Sequence, residues 1–304
     1  MKAPVFAALF VIFSAVSITA NAADATPPKM LIAGTGQGVL LVEDGKVVKR
    51  YPTRGGCQDA WLLADGDVLA TESVGVTRLD KDGKVLMRYT AADKKNEVHA
   101  CQPLPGGGVL LAEANPPRLI ELDSAGQIVT EIAVKDIKYA NAHLHMRAAR
   151  KNKKGEYGII SSGEMRVIIL NPDGTTKRII DLQKLPKQIK HKLSHGFAFL
   201  EGGNILVSTS YGSCFVELDP AGKIVWSLTP DDVPELELKY AAGMHRLPNG
   251  NTVCTAYRGK YPVFEVTPDK KVVWKMSADK ELGAPLHVQV IGEGDEPSDF
   301  GLWK

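Results

Sequence analysis

Seven histidines are present in the chain, and three of them recur at one place in a repeated unit. That place lies five residues before the leucine, or its equivalent, that leads into a tight turn. Gln58 stands there ahead of Leu63, His99 ahead of Leu104, His145 ahead of Arg150 and His195 ahead of Leu200. Imidazoles at one level of a repeat support three kinds of chemistry. Neutral rings are ligands for a divalent transition metal such as Zn or Mn, and an open position on that metal acidifies a water or polarises a carboxylate. Histidine also titrates near neutrality, so a packed ring of them separates into acids and bases. A single histidine, supported by a second and by Arg147 or Arg258, is a nucleophile. Against all three stands the plain account that the rings only fill a channel, a task that Val, Ser or Thr performs with less desolvation.

Neighbouring positions point to the same place. His245 and His287 come near it in the last two units, and His143 shares the face of His145 one pleat away. Asp59 follows Gln58, and Arg147 continues the face of His145. The ends of second strands add Glu72, Glu113, Tyr211, Tyr257 and Arg258. The expected metal ligands are Gln58, His99, His145 and His195. His99, His145, His195, His245, Arg147 and Arg258 are the candidate catalytic groups, and Asp59, Glu72, Glu113, Tyr211, Tyr257 and His287 the candidate substrate contacts. Convergent polar groups in a concave site suit a small-molecule or oligosaccharide ligand, anionic or carbohydrate-derived. His191, in the basic stretch 184–192, is expected in solvent.

The elements that position these residues follow from internal repetition. One half-unit recurs six times, as Leu41 to Lys46, Leu79 to Lys84, Glu121 to Gly126, Leu170 to Gly174, Glu217 to Lys223 and Glu265 to Lys271. Its glycines are Gly45, Gly83, Gly126, Gly174 and Gly222, and Lys270 replaces the sixth. The other half recurs as Leu63 to Gly66, Leu104 to Gly107, Leu200 to Gly203 and Leu247 to Gly250, each a tight turn between β-branched runs. The fourth unit has a basic turn, Arg150 to Gly155, expected as a solvated hairpin tip. Units of about 47 residues with four short strands fit a propeller blade. Residues 30–51 supply three strands that lack an inner partner, and 286–291 supply one strand alone. Pairing them completes a sixth blade and removes two open edges. The expected fold is an all-β, six-bladed β-propeller, with at most a surface turn over 231–239.

The remaining signals narrow the class. The chain has 304 residues, 44% of them hydrophobic, which is enough to fill a core. Its net charge of +2 offers no electrostatic footprint for nucleic acid. Residues 1–22 read as a cleavable leader: Lys2, an apolar run from Phe6 to Val16 too short to span a bilayer, then Ala20-Asn21-Ala22. The propeller domain is then expected over 23–304, in the periplasm or the medium, without membrane insertion. Cys57, Cys101, Cys214 and Cys254 are too sparse for a disulfide framework, although a Cys57–Cys101 bridge between adjacent units is conceivable. Oligomeric state is not written in these features.

His245-Arg246-Leu247-Pro248-Asn249-Gly250-Asn251-Thr252-Val253 and Gly222-Lys223-Ile224-Val225-Trp226 resemble the blade repeat of arylsulfotransferase-type and PQQ-like propellers. The resemblance covers nearly all of the chain after the leader and concerns blade motifs, which specify architecture more than activity. An arylsulfotransferase likeness implies a central histidine that carries the sulfuryl group, which would fall on His99, His145, His195 or His245. The chain has no His-His-Asp before a Leu-Pro-Asn-Gly turn, the nearest sequence being Cys57-Gln58-Asp59. It has no vicinal Cys-Cys pair either, so no PQQ is expected. The His/His/His/Gln set is also similar in residue type to the metal site of oligogalacturonate-lyase-type propellers. That similarity implies a metal holding a uronate carboxylate while a base removes the neighbouring proton. The leading expectation is an exported propeller lyase or hydrolase, metal-assisted, acting on a small anionic or uronate-like substrate. A non-catalytic ligand- or protein-binding propeller and a His-dependent sulfotransferase are the alternatives.

Overall fold

A computed structural model describes residues 25–36, 38–189 and 192–292. The expected leader and His191 lie outside the described residues. Strand-forming runs alternate with turns throughout, and the strands form six separate four-stranded antiparallel sheets. In chain order, strands β4 (Ala60–Leu62) to β7 (Val85–Thr90) make one blade and β8 (Val98–Pro103) to β11 (Ile128–Ala133) the next. Then come β12 (Met146–Lys151) to β15 (Thr176–Asp181), β16 (Phe197–Phe199) to β19 (Ile224–Leu228), and β20 (Ala241–Arg246) to β23 (Val272–Met276). The last blade joins the two ends of the fold. Strand β24 (Ala284–Val290) pairs with β1 (Met30–Thr35), followed by β2 (Gly38–Glu43) and β3 (Lys46–Tyr51). The fold is the expected six-bladed propeller, closed as the leftover strands required.

Burial follows position within the blade. Inner and second strands are covered on both faces, as in Val68–Glu72, whereas an outer strand such as Lys46–Tyr51 alternates toward solvent. Each apolar cluster spans two neighbouring blades. Trp61, Leu69 and Val76 pack on Val98, Leu111 and Ile120, and Leu31, Ala33 and Val39 pack on Ala60, Val68 and Leu79. Burying side chains between sheets rather than within one sheet makes the ring a single packed object.

The recurring Leu-Asp-x-x-Gly motif has a clear local cause. Asp123 Oδ1 accepts the backbone N–H groups of Ala125 and Gln127 at 2.9 and 2.8 Å, and Gly126 closes the turn at φ +82°. In the sixth copy Thr267 Oγ1 accepts from Lys271 at 3.0 Å, and Lys270 takes the left-handed position at φ 68°. The segment 231–239 holds a short 3-10 turn, Pro234–Leu236. All four cysteines are buried, and Cys57 and Cys101 are free thiols, so the conceivable bridge between them is not formed. Burial pushes the Cys57 thiol up to about 12.

Inner strands of adjacent blades are clasped together by side chains at one recurring level near the ends of those strands. Gln289 Oε1 accepts the N–H of Leu62 at 2.7 Å and its Nε2 donates to the same residue's carbonyl at 3.1 Å. Gln102 repeats this two-point bond on Lys151. Trp61 Nε1 donates to the Cys101 carbonyl at 2.8 Å, and His245 Nδ1 accepts from the Val290 N–H at 3.1 Å. Backbone groups that face the channel are thereby satisfied without a continuous sheet.

Candidate functional site at the channel mouth

The first strands of the blades begin at one mouth of the channel, and β-bulges aim their side chains into it. In the pairing of β8 with β9 (Val109–Ala114), Val98 faces Glu113 and Ala100 faces Ala112, so His99 is the unpaired residue. In the pairing of β12 with β13 (Tyr157–Ser161), Met146 faces Ser161 and Ala148 faces Ile160, so Arg147 occupies the same place. The turn bonds explain why the sequence alignment slipped here. Leu63, Leu104, Leu200 and Leu247 each donate to the carbonyl four residues on, and in the fourth blade Asn152 does so rather than Arg150. Counting five back from Asn152 gives Arg147, not His145. The level is therefore Gln58, His99, Arg147 and His195.

The same two-residue slip relocates Arg150. Its side chain is inside the channel rather than at a solvated tip, and its Nη1 and Nη2 grip Asp59 at 2.7 and 3.1 Å. The exposed tip consists of Lys153 and Lys154. His145 also departs from its expected role. Its Nδ1 lies 2.7 Å from the Ala114 carbonyl and its Nε2 2.5 Å from the Tyr139 carbonyl, so the ring sits between backbone acceptors and stays out of the channel group. The set Gln58, His99, His145 and His195 does not converge on one point.

A different group converges at the mouth. Glu97 Oε2 lies 3.0 Å from His99 Nε2 and 2.6 Å from His143 Nδ1. Arg147 closes the other side. Its Nη1 donates to His99 Nδ1 at 3.2 Å and to Gln58 Oε1 at 3.0 Å, and its Nη2 to His143 Nε2 at 3.1 Å. Those partners assign the tautomers, since each imidazole gives its hydrogen to the carboxylate and accepts from the guanidinium. Burial, with Arg147 alongside, pushes His99 down to about 4, against the pull of Glu97. The hydrogen bond from His99, joined by that from His143, holds Glu97 at about 2 against its partial burial. His143 keeps nearly half of its side-chain surface exposed, so it is the member that a ligand reaches.

Beneath this level lies a tighter polar layer. Asp59 accepts from Arg150, from the Cys101 N–H at 3.0 Å, and from His287 Nε2 at 3.2 Å. Burial raises Asp59 while the guanidinium pulls it back. His287 and His195 are buried, and burial holds both well below the ordinary imidazole range. His195 Nε2 and His287 Nδ1 have no hydrogen-bond partner among the described residues. Both residues line a cavity of about 20 Å³ beneath Gln58, His99 and Arg147, space for roughly one water. His245 is held at about 3 by burial and serves as a clasp.

The other expected contacts divide into two sets. Tyr211 and Tyr257 flank Tyr240, with ring centroids 4.7 and 5.3 Å from it, and Arg258 lies over Tyr257 at 4.9 Å. Tyr240 in turn meets His195 edge-on at 5.9 Å, so an aromatic wall adjoins the channel level at His195. Glu72 and Glu113 are not part of the mouth. Glu72 is bound by Arg88 of its own blade, and Glu113 by Arg118 of its own blade, by Tyr89 of the preceding blade and by Asn96 of the connecting segment. Sequence reasoning missed Glu97, although it precedes His99 by two residues and thus shares its strand face. Tyr240 carried no repeat signal.

Among the residues described, Glu97, His99 and His143 are the one group whose His and carboxylate ligand atoms, all within 4.8 Å of one another, suit a metal ion. No family model matches the chain, and no curated protein does, so the arylsulfotransferase-type and PQQ-like resemblance stays at the level of the blade repeat. Solved structures share the fold. A Bacteroides caccae protein of unknown function superposes with a TM-score of 0.76 at 23% identity, over 86% of this chain and 98% of that one. Virginiamycin B lyase from Staphylococcus aureus gives 0.56 at 12% identity, over 76% of this chain and 73% of that one. A chain of a nidogen/laminin complex gives 0.62 at 15%, over 86% and 97%. A lyase and a chain of a nidogen/laminin complex at similar distances show that the likeness is one of fold alone.

Proposed function

We propose that the chain is an exported propeller enzyme that removes a proton from a small anionic or carbohydrate-derived substrate at this mouth, in a lyase reaction. The observation that carries it is the shared Glu97 oxygen, bonded by both His99 and His143 while Arg147 faces the far nitrogens of both rings. A substrate carboxylate is a better partner for Arg147 than a neutral imidazole is. Taking up Arg147 frees the lone pair of His143 Nε2, and Glu97 on Nδ1 stabilises the imidazolium that forms. His143 then accepts the proton from the carbon next to the carboxylate. The C–H electron pair becomes the new C=C bond, the bond to the leaving oxygen breaks, and that oxygen takes a proton from water. The Tyr211–Tyr240–Tyr257 wall offers ring faces for a sugar or aromatic portion. A likeness in fold to a lyase is consistent with this reading, and a His-to-Ala variant of that S. aureus lyase is catalytically inactive.

The same donors fit a 2-His-1-carboxylate metal set, provided that His99 Nε2 and His143 Nδ1 give up the hydrogens they place on Glu97. A bound Zn or Mn would polarise the substrate carboxylate. Turnover of uronate-containing oligosaccharides, followed by the ultraviolet absorbance of the conjugated C=C, tests the reaction. Elemental analysis of the untagged protein runs beside it. Activity lost in His143→Ala and Glu97→Gln with melting unchanged supports the site. Full activity in both variants removes it.

A further inference from the structure

The opposite opening of the channel holds a second cavity, of about 340 Å³, that the proposed reaction does not use. It lies on the face of the first hairpin turns, between the blades that begin with β16 and β20. Neither His99, His143 nor Arg147 lines it. Arg150 and His287 line both spaces, so the Asp59–Arg150–His287 layer is the partition between them. The volume is in the range of small-ligand pockets, which begin at about 300 Å³.

Its walls state what fits. Trp61, Phe197, Phe199 and Met244 supply two phenyl faces, an indole and a polarisable thioether. Its cations are already neutralised. Arg246 pairs with Glu217 at 2.8 Å and Arg150 pairs with Asp59. An anion would therefore meet no unpaired positive charge. Arg150, the deepest of its cations, keeps a donor that its own bonds leave over. Arg150 directs Nη1 to Asp59 and to the Ala149 and Cys101 carbonyls, and Nη2 to Asp59, while its Nε–H has no partner among the described residues.

We propose that this lower cavity binds a small uncharged aromatic molecule bearing a carbonyl or hydroxyl oxygen. The ring lies among Phe197, Phe199, Met244 and Trp61, and the oxygen accepts from Arg150 Nε–H. The site is separate from the acid–base group at the other mouth. Titration of the full chain with 2-acetylnaphthalene, by calorimetry and by indole fluorescence, tests it. The expected result is one molecule bound per chain, with 2-naphthoate at least tenfold weaker. Met244→Trp, which fills the cavity, weakens binding at least tenfold, and His143→Ala leaves it unchanged. Ala198→Leu repeats the filling test at a milder site if Met244→Trp melts early. Absence of saturable binding, equal affinity for 2-naphthoate, or loss of binding in His143→Ala but not in the filling variants overturns the proposal.

Discussion

Glu97 and Arg147 decide what the two mouth imidazoles can do, because each ring is held between one acceptor and one donor. Converting Glu97 to Gln removes the charge that stabilises protonated His143. Turnover is expected to fall about 10²–10⁴-fold, the usual contribution of a positioned general base, with little change in melting temperature because the residue is partly exposed. An unchanged rate constant in a stopped assay would count against the role. Arg150 belongs to a different class of residue. Replacing it with Met leaves the Asp59 carboxylate buried without its guanidinium, a change that costs about 3–5 kcal/mol. Urea denaturation of Arg150→Met reads that loss directly, and a loss below ~1 kcal/mol would mean that Asp59 is held by its other partners.

Within the elements, the bulges and clasps convert regular strands into a site. A regular first strand would send alternate residues into the channel, whereas the bulges let successive residues, His99 with Ala100 and Arg147 with Ala148, keep the mouth group and the blade core in register. The Gln289 clasp seals the closing strand to the first blade. Gln289→Ala strands a buried N–H and carbonyl on Leu62, and a loss of about 1–3 kcal/mol is expected. Hydrogen exchange at the Leu62 amide should rise with it, and exchange as slow as in the parent would show that another group has replaced the bond. The turn copies allow a paired test. Gly126→Ala forces a left-handed Ala with its Cβ near Met87, and a destabilisation of about 1–2 kcal/mol is expected, whereas Lys270→Gly should cost nothing or stabilise slightly.

At the level of the whole molecule, the ring buries imidazoles that must stay neutral. Burial lowers His99 to about 4 and His245 to about 3, and it lowers His195 and His287 as well. The unfolded chain binds protons at these residues near pH 6.5, where the folded chain does not. The contribution of these histidines is therefore flat above that pH and falls as the pH drops from about 6.5 toward 4. Glu97, lowered to about 2, adds a loss of the same sign below its ordinary carboxylate range. Melting curves recorded from neutral pH down to about pH 4.5 should shift steadily downward, and the slope should lessen in His245→Gln, since this histidine would no longer titrate on unfolding. A melting temperature independent of pH across that window would mean that these rings are solvated.

The repeats alone determined the architecture, because a blade is a local object: its strand lengths, Asp-x-x-Gly turns and period all lie within one stretch of chain. Ring closure was equally legible, since three strands at one end and one at the other leave a single way to remove both edges. The mouth was legible as a level, through Gln58, His99 and His195, and Arg147 was singled out for its charge. What the sequence could not settle was registration in the fourth blade, where the turn opens at Asn152 rather than at a leucine and shifts the frame by two residues. That shift turned His145 onto backbone carbonyls and brought Arg150 inside. The grouping of Glu97 with His143 also needed the fold. A bulge and a short 3-10 turn (Ala142–Leu144) bring residues from neighbouring blades to one oxygen, and no spacing within a chain encodes a distance between blades.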